Sequence, residues 1–211
     1  MQDGDHPTRT GLIKAALRQF GRDGFDAAST RAIAAEAGTN ISSIAYHFGG
    51  KDGLRLACAD FVAARIGQIA RVLPGDPAQA TPARARHILR RLLRRIVLFL
   101  TAPVAEPVVA FLLRELTQPN SPVPDRLYHT LIESRHRSLC QIWSVATGRP
   151  AESDDVKLAV FSIVGQAAYF RLAAPIVQRR MAWDGYPPAA ARAIARRLLF
   201  NLDAILEAEN G

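Results

Sequence analysis

Residues 29–51 read Ser29-Thr30-Arg31-Ala32-Ile33-Ala34-Ala35-Glu36-Ala37-Gly38-Thr39-Asn40-Ile41-Ser42-Ser43-Ile44-Ala45-Tyr46-His47-Phe48-Gly49-Gly50-Lys51, and the parsing of this stretch decides the fold. Ser29 and Thr30 are cap candidates for a short helix, Thr30 to Ala37, that turns Ile33, Ala34 and Ala37 inward. Gly38-Thr39-Asn40 makes a turn, and Asn40 can cap a second short helix, Ile41 to His47. Phe48 and the pair Gly49-Gly50 end that helix, and Lys51 begins another. In the second helix Ile44 and Phe48 are four apart and face the core, whereas Ser42, Ser43, Tyr46 and His47 face out. Two short helices joined by a three-residue turn containing Gly, behind a longer supporting helix, form a helix-turn-helix.

The supporting helix is Thr8 to Asp23, with Leu12, Ile13, Ala16, Leu17 and Phe20 on one face. Gly24 stops it, and Phe25 folds back onto the apolar face. Beyond Lys51 the helices lengthen. Arg84 to Thr101 carries a stripe of Ile88, Leu89, Leu92, Leu93, Ile96, Val97 and Leu100. Further helices are expected from Pro103 to Thr117, from the Pro119–Pro124 loop to Thr147, from Ser153 to Met181 with a bend near Pro175, and from Pro188 to Glu207. No stretch alternates with period two for long enough to read as a sheet. The expected class is all-α, with about nine helices: a three-helix helix-turn-helix domain over 1–55, then a larger helical bundle over 56–211.

Composition narrows the function. Half of the 211 residues are apolar, enough for a buried core. The formal charge is +8, and 24 of the 27 cations are Arg. A codon bias toward Ala and Arg accounts for much of that richness, yet strong basicity still raises the expectation of a polyanionic partner. Cut at Arg55, the leading segment carries seven cations and six anions, so the basicity lies mostly behind the helix-turn-helix. The Arg84–Arg95 run falls opposite its helix's apolar stripe and reads as a solvated face. Cys58 and Cys140 are too few for a disulfide scaffold or a cysteine zinc site. His129 and His136 are seven apart without further ligands nearby, so no metal is expected. No nucleophile with its base and orienting group is evident, so neither an enzyme nor a cofactor is implied. The polar, acidic Met1–Pro7 is unlike a secretory leader, and no apolar run reaches about 20 residues. A cytoplasmic protein without a membrane partner is expected.

A recognition helix must lie in the major groove with its N-terminal residues toward base edges. The hydroxyls of Ser42 and Ser43 permit close approach, and Tyr46 and His47 lie a turn later, where side chains reach the backbone. Thr30 and Lys51 open helices whose free N–H groups suit phosphate, and Asn40 stands at the turn. The candidate DNA contacts are therefore Thr30, Asn40, Ser42, Ser43, Tyr46, His47 and Lys51. A helical small-molecule binder of the same fold that does not touch DNA is the alternative, motivated by the near-neutral leading segment.

Residues 8–54 resemble the DNA-binding domain of TetR/AcrR-type transcriptional regulators. The resemblance rests on Leu12–Ala16, Phe20-Gly21-Arg22-Asp23-Gly24-Phe25, Ser29–Gly38 and Ile44-Ala45-Tyr46-His47-Phe48-Gly49-Gly50-Lys51-Asp52-Gly53-Leu54, in order and without gaps. It implies a homodimer that binds a (pseudo)palindromic double-stranded operator and is released by a small-molecule effector, most often as a repressor. Arg114-Glu115, the Pro119–Pro124 loop with Leu127-Tyr128, Gly165-Gln166 and Arg179-Arg180 before Trp183 are similar to a CecR-type C-terminal domain. An effector cavity between helices is expected to draw on Phe111, Arg114, Tyr128, Trp143, Gln166, Phe170 and Arg171. A dimer interface is expected from Phe161, Gly165, Ile194, Leu198, Leu202 and Ile205.

Overall fold

The computed structural model describes residues 5–69 and 79–209. Among them are eleven α-helical segments and no strand: α1 (Asp5–Asp23), α2 (Thr30–Glu36), α3 (Ser42–Phe48), α4 (Lys51–Ile69), α5 (Pro82–Thr101), α6 (Glu106–Thr117), α7 (Val123–Leu127), α8 (Glu133–Thr147), α9 (Asp154–Leu172), α10 (Ala174–Met181) and α11 (Pro188–Ala208). A 3-10 turn, Pro103–Ala105, precedes α6, and a π-helical turn, Tyr128–Ile132, lies between α7 and α8. The count exceeds nine at two places. The run expected to reach Thr147 passes through the π turn, and the run from Ser153 to Met181 divides at Ala173 with a bend of 72°. Pro175 explains the second break, because its ring has no N–H for the Arg171 carbonyl and clashes with it.

Packing divides the chain into two compact units, 1–66 with 106–131, and 67–105 with 132–211. This differs from a single cut at 55/56, since α6 and α7 pack with the helix-turn-helix. In the first unit α1 buries Leu12, Ile13, Ala16, Leu17 and Phe20, the face its periodicity marks. Phe25 returns onto Phe20 with ring centroids 5.5 Å apart, and Phe111 of α6 closes the other side at 6.4 Å.

The second unit is built on α5, α8, α9 and α11. Thr81 caps α5 by accepting from the Arg84 amide at 3.2 Å, with Pro82 in the first turn. The α5 stripe packs Ile88, Leu89, Leu93 and Val97 against Trp143, Ile163, Leu198 and Leu202. Buried apolar area of this kind is worth about 25 cal/mol per Å² and is the main force holding the unit together. Trp143 satisfies its indole N–H by donating to the Glu209 carboxylate at 2.6 Å.

Candidate nucleic-acid interface

The helix-turn-helix is assembled by short-range bonds that its residue types supply. The Ser29 hydroxyl caps α2 by accepting from the Ala32 amide at 3.4 Å. Thr30 is thus the first helical residue rather than the cap. Arg18 and Gln19 of α1 both donate to the Glu36 carboxylate and tie α2 to its support. Partial burial pushes Glu36 up, but the bonds from Gln19 and Arg18 outweigh it and hold the carboxyl below its usual range. Gly38, at φ +67°, makes the turn, and the Asn40 side chain accepts from the Ser42 amide at 3.1 Å. Ile41, expected as the first residue of α3, instead occupies its cap position.

Along α3, Ile44 is 2% exposed and Tyr46 is 78% exposed, so the helix has one anchored face and one presented face. Ser42 is exposed, and Ser43 is half-buried with its hydroxyl bonded to that of Thr39 at 2.9 Å. The half-buried His47 ring meets Tyr46 edge-on at 4.9 Å. Phe48 is half-buried rather than core, and the Arg9 guanidinium lies over its ring at 5.1 Å. Gly49 ends α3 at φ +71°, and Gly53 lets α4 start against it, because a Cβ there would sit 1.8 Å from the Phe48 carbonyl oxygen.

Lys51 is more constrained than the sequence suggests. Its ammonium donates to the Asp26 carbonyl at 3.2 Å and lies 4.7 Å from the Phe25 ring centre. An ammonium has three donors, so two are left for a phosphate. One turn later stands a feature the sequence reading missed. Arg55 donates through Nε and Nη2 to the Glu115 carboxylate at 2.7–3.1 Å, and through Nη2 to Gln118 at 3.2 Å. Its guanidinium lies 4.1 Å from the Phe25 ring centre, and the Gln118 amide donates to Asp26 at 3.1 Å. The Arg55 and Glu115 side chains are only 7% and 1% exposed. The available signal was spacing: Arg55 sits with Leu54 and Cys58 on the buried side of α4, and Glu115 follows Val108 and Phe111 on that of α6.

The expected effector residues are distributed over both units. In the first, Phe111 is core, the exposed Arg114 donates to the Arg22 carbonyl at 2.9 Å, and the exposed Tyr128 begins the π turn. In the second, Gln166 accepts from Asn201 at 3.0 Å, the Phe170 carbonyl accepts from the Tyr186 hydroxyl, and Arg171 is half-buried. Trp143 lines an apolar cavity of about 30 Å³ with Leu89, Leu93, Ile96, Leu139 and Ile163, and no other expected effector residue lines it.

The expected interface residues also separate. Ile194, Leu198 and Leu202 are buried in the second unit's own core, because α11 turns that stripe toward α5 and α9. Ile205 is half-buried, whereas Phe161 is 55% exposed and Gly165 faces open space. Leu158, Tyr169 and Leu172 are exposed with them on α9, and Phe200 on α11. Among the described residues no group of three His, Cys, Asp or Glu could hold a metal ion, and no single helix is long and apolar enough to cross a membrane.

Comparison with known proteins matches residues 12–58 to the family of bacterial regulatory proteins called tetR. Residues 85–209 match the C-terminal domain of the HTH-type transcriptional dual regulator CecR. The chain is 32% identical over 202 residues to that regulator from Shigella flexneri, covering 93% of this chain and 90% of the relative. It is 27% identical over 171 residues to the HTH-type transcriptional regulatory protein RaaS of Mycobacterium tuberculosis, covering 80% and 73%. Among solved structures, a transcriptional regulator from Rhodococcus is similar with a TM-score of 0.67 at 16% identity, covering 96% and 98%. AibR in complex with isovaleryl coenzyme A and operator DNA is similar with a TM-score of 0.68 at 18% identity, covering 91% and 96%.

Proposed function

This chain belongs to the TetR family of bacterial transcriptional regulators, with a C-terminal domain of the CecR type, and on that premise we propose that it is a homodimeric, ligand-responsive repressor acting in the cytoplasm. The observation that carries the reading is α3, anchored through Ile44 and presenting Ser42, Tyr46 and His47. Ser42, Ser43 and Asn40 enter the major groove first, Tyr46 and His47 reach the flanking backbone, and Thr30 and Lys51 receive phosphates at the starts of α2 and α4. Residues 1–55 engage DNA and residues 56–211 carry the effector site and the dimer interface. AibR, a neighbour in fold, is solved with an acyl coenzyme A and operator DNA together, which supports the pairing of effector and operator.

The dimer reading rests on a symmetry in α9. Leu158 and Phe161 stand seven and four residues before Gly165, and Tyr169 and Leu172 stand four and seven after it. Two copies packed antiparallel about a two-fold axis at Gly165 would oppose Leu158 to Leu172 and Phe161 to Tyr169, with glycine allowing close approach. Such an isologous contact presents two recognition helices to a (pseudo)palindrome.

Selection of bound fragments from a genomic DNA pool, followed by mobility shift on the enriched sequence, tests the reading. Tyr46→Ala with His47→Ala is expected to abolish the specific shift while leaving thermal unfolding unchanged. Deleting the gene should raise transcription from the enriched promoters. An unaltered shift with the double variant refutes DNA recognition by α3, and enrichment of no sequence favours the helical binder that does not touch DNA.

A further inference from the structure

The two units share the charge unevenly. The first carries ten Lys and Arg against ten Asp and Glu, and the second carries seventeen against nine, so the entire +8 resides in the second. The helix-turn-helix unit therefore has no net attraction for a polyanion beyond its local contacts. Much of the excess sits on one helix face. On α5, Arg84, His87, Arg91 and Arg94 follow one another at spacings of three, four and three, all exposed. At a rise of 1.5 Å per residue, a cation or imidazole recurs about every 5 Å along that face.

Nothing within the described residues neutralises the row. Arg90 pairs with Asp203 of α11 and Arg95 donates to the Gln68 carbonyl at 2.9 Å, whereas Arg84, Arg91 and Arg94 pair with no carboxylate. Arg192 and Arg196 stand on the flank of α11 that bears Asp203, so the Arg90–Asp203 bridge joins two basic helices. The opposite side of α5 is spent on the core, and of its large apolar side chains only Leu98 is exposed. A helix so seated has no apolar face to lay into a bilayer, which separates it from amphipathic membrane binders. Guanidinium groups bind phosphate through paired N–H donors, and a duplex offers phosphates at comparable repeats along each strand.

We propose that the outer face of α5, centred on Arg84, Arg91 and Arg94, is a second phosphate-binding surface that engages duplex DNA by charge and without reading sequence. It goes beyond recognition by α3, supplying the long-range attraction that the neutral first unit lacks. These side chains are exposed, so replacing them should leave the fold intact, which circular dichroism and thermal unfolding check.

The test uses the full chain, a random-sequence duplex several helical turns long, and the variant Arg84→Gln/Arg91→Gln/Arg94→Gln. The slope of log affinity against log salt is expected to fall in magnitude by about 2 to 3, at roughly 0.9 per released phosphate contact, with affinity at low salt down on the order of 100-fold. An unchanged slope overturns the proposal, and it does so with α3 recognition intact if the Tyr46→Ala/His47→Ala variant still loses the selected operator. If that α3 variant keeps operator binding while the α5 variant loses random-duplex binding, the α5 surface stands and the α3 reading falls. Displacement of the duplex by phosphatidylserine vesicles from the wild type, with the α5 variant binding neither, overturns the assignment to nucleic acid in favour of lipid.

Discussion

Replacing Glu115 by Ala would strip Arg55 of a buried carboxylate that accepts three of its hydrogen bonds. What remains is one bond to Gln118 at 3.2 Å and the face of Phe25 at 4.1 Å, for a charge that water barely reaches. Removing one partner of a buried ion pair costs about 3–5 kcal/mol, because the survivor keeps its desolvation penalty. A domain stable by only about 5–15 kcal/mol would lose about a fifth or more of that margin. Cys58 provides the assay. It is fully buried in the same unit, donates weakly to the Ile13 carbonyl, and has its thiol pushed well above the usual range by burial and by the nearby charge of Glu115. In a Cys140→Ala background it is the sole thiol, so its labelling by a disulfide reagent reports opening of the first unit alone. At 1.4 kcal/mol per decade, Glu115→Ala should accelerate labelling on the order of 10²- to 10³-fold. Arg55→Met with Glu115→Leu should restore most of the protection, since hydrophobic replacement of both partners is often neutral. Acceleration below tenfold for the single variant, or no recovery in the double, would refute the idea that each member of this pair is a buried liability satisfied mainly by the other.

Gly53→Ala should cost DNA binding with little loss of helix content, because a Cβ 1.8 Å from the Phe48 carbonyl oxygen must push α3 off α4; mobility shift and circular dichroism on one sample check it. Phe161→Glu should convert the proposed dimer to a folded monomer in sedimentation equilibrium by burying a carboxylate against Tyr169 of the second copy; an unchanged dimer would move the interface off α9. His136, stacked on Phe161 at 4.0 Å and beside Cys140, is held below the ordinary histidine value by burial, with the Lys157 backbone and Glu152 opposing and the Lys157 charge assisting. A depressed value means that the unfolded chain takes the proton first. Stability is then full above the ordinary histidine value, and it falls as pH drops from about 6.5 toward the folded one. Both tryptophans, Trp143 and Trp183, lie in that unit, so fluorescence-detected unfolding between about pH 7 and 5 should flatten in His136→Phe.

The helix-turn-helix was legible because its punctuation is local: Ser29, Gly38, Asn40 and Gly49 act within four residues of themselves. Long-range partnership left weaker traces. Ile194, Leu198 and Leu202 were read as interface residues because apolar spacing records that a face is buried, not whether the cover is the same chain or another. The π turn at Tyr128–Ile132 contains no Gly or Pro, so no residue type announces it. Gln166 was taken for a pocket group on polarity alone, whereas it spends its carbonyl on Asn201 to join α9 to α11. Arg55 and Glu115 could have been suspected from their places in apolar stripes, but 60 residues of separation hide the pairing.

The small cavity beside Trp143 bears on how an effector could act. Pockets for small organic ligands run to about 300–1,000 Å³, roughly ten times or more the 30 Å³ between α5, α8 and α9. An effector entering there must displace lining side chains, and moving the Trp143 ring would also give up its bond to Glu209. Opening a close-packed core costs free energy that the ligand's contacts have to exceed, so the closed form described here is the state a ligand binds poorly. That asymmetry is what ligand response requires, because a molecule that bound the open and closed forms equally would shift neither. It follows that Trp143→Phe, which removes the indole bond and part of the bulk, should lower the opening cost. The variant should weaken DNA binding without any ligand, whereas a pocket that needs no opening would leave that binding untouched.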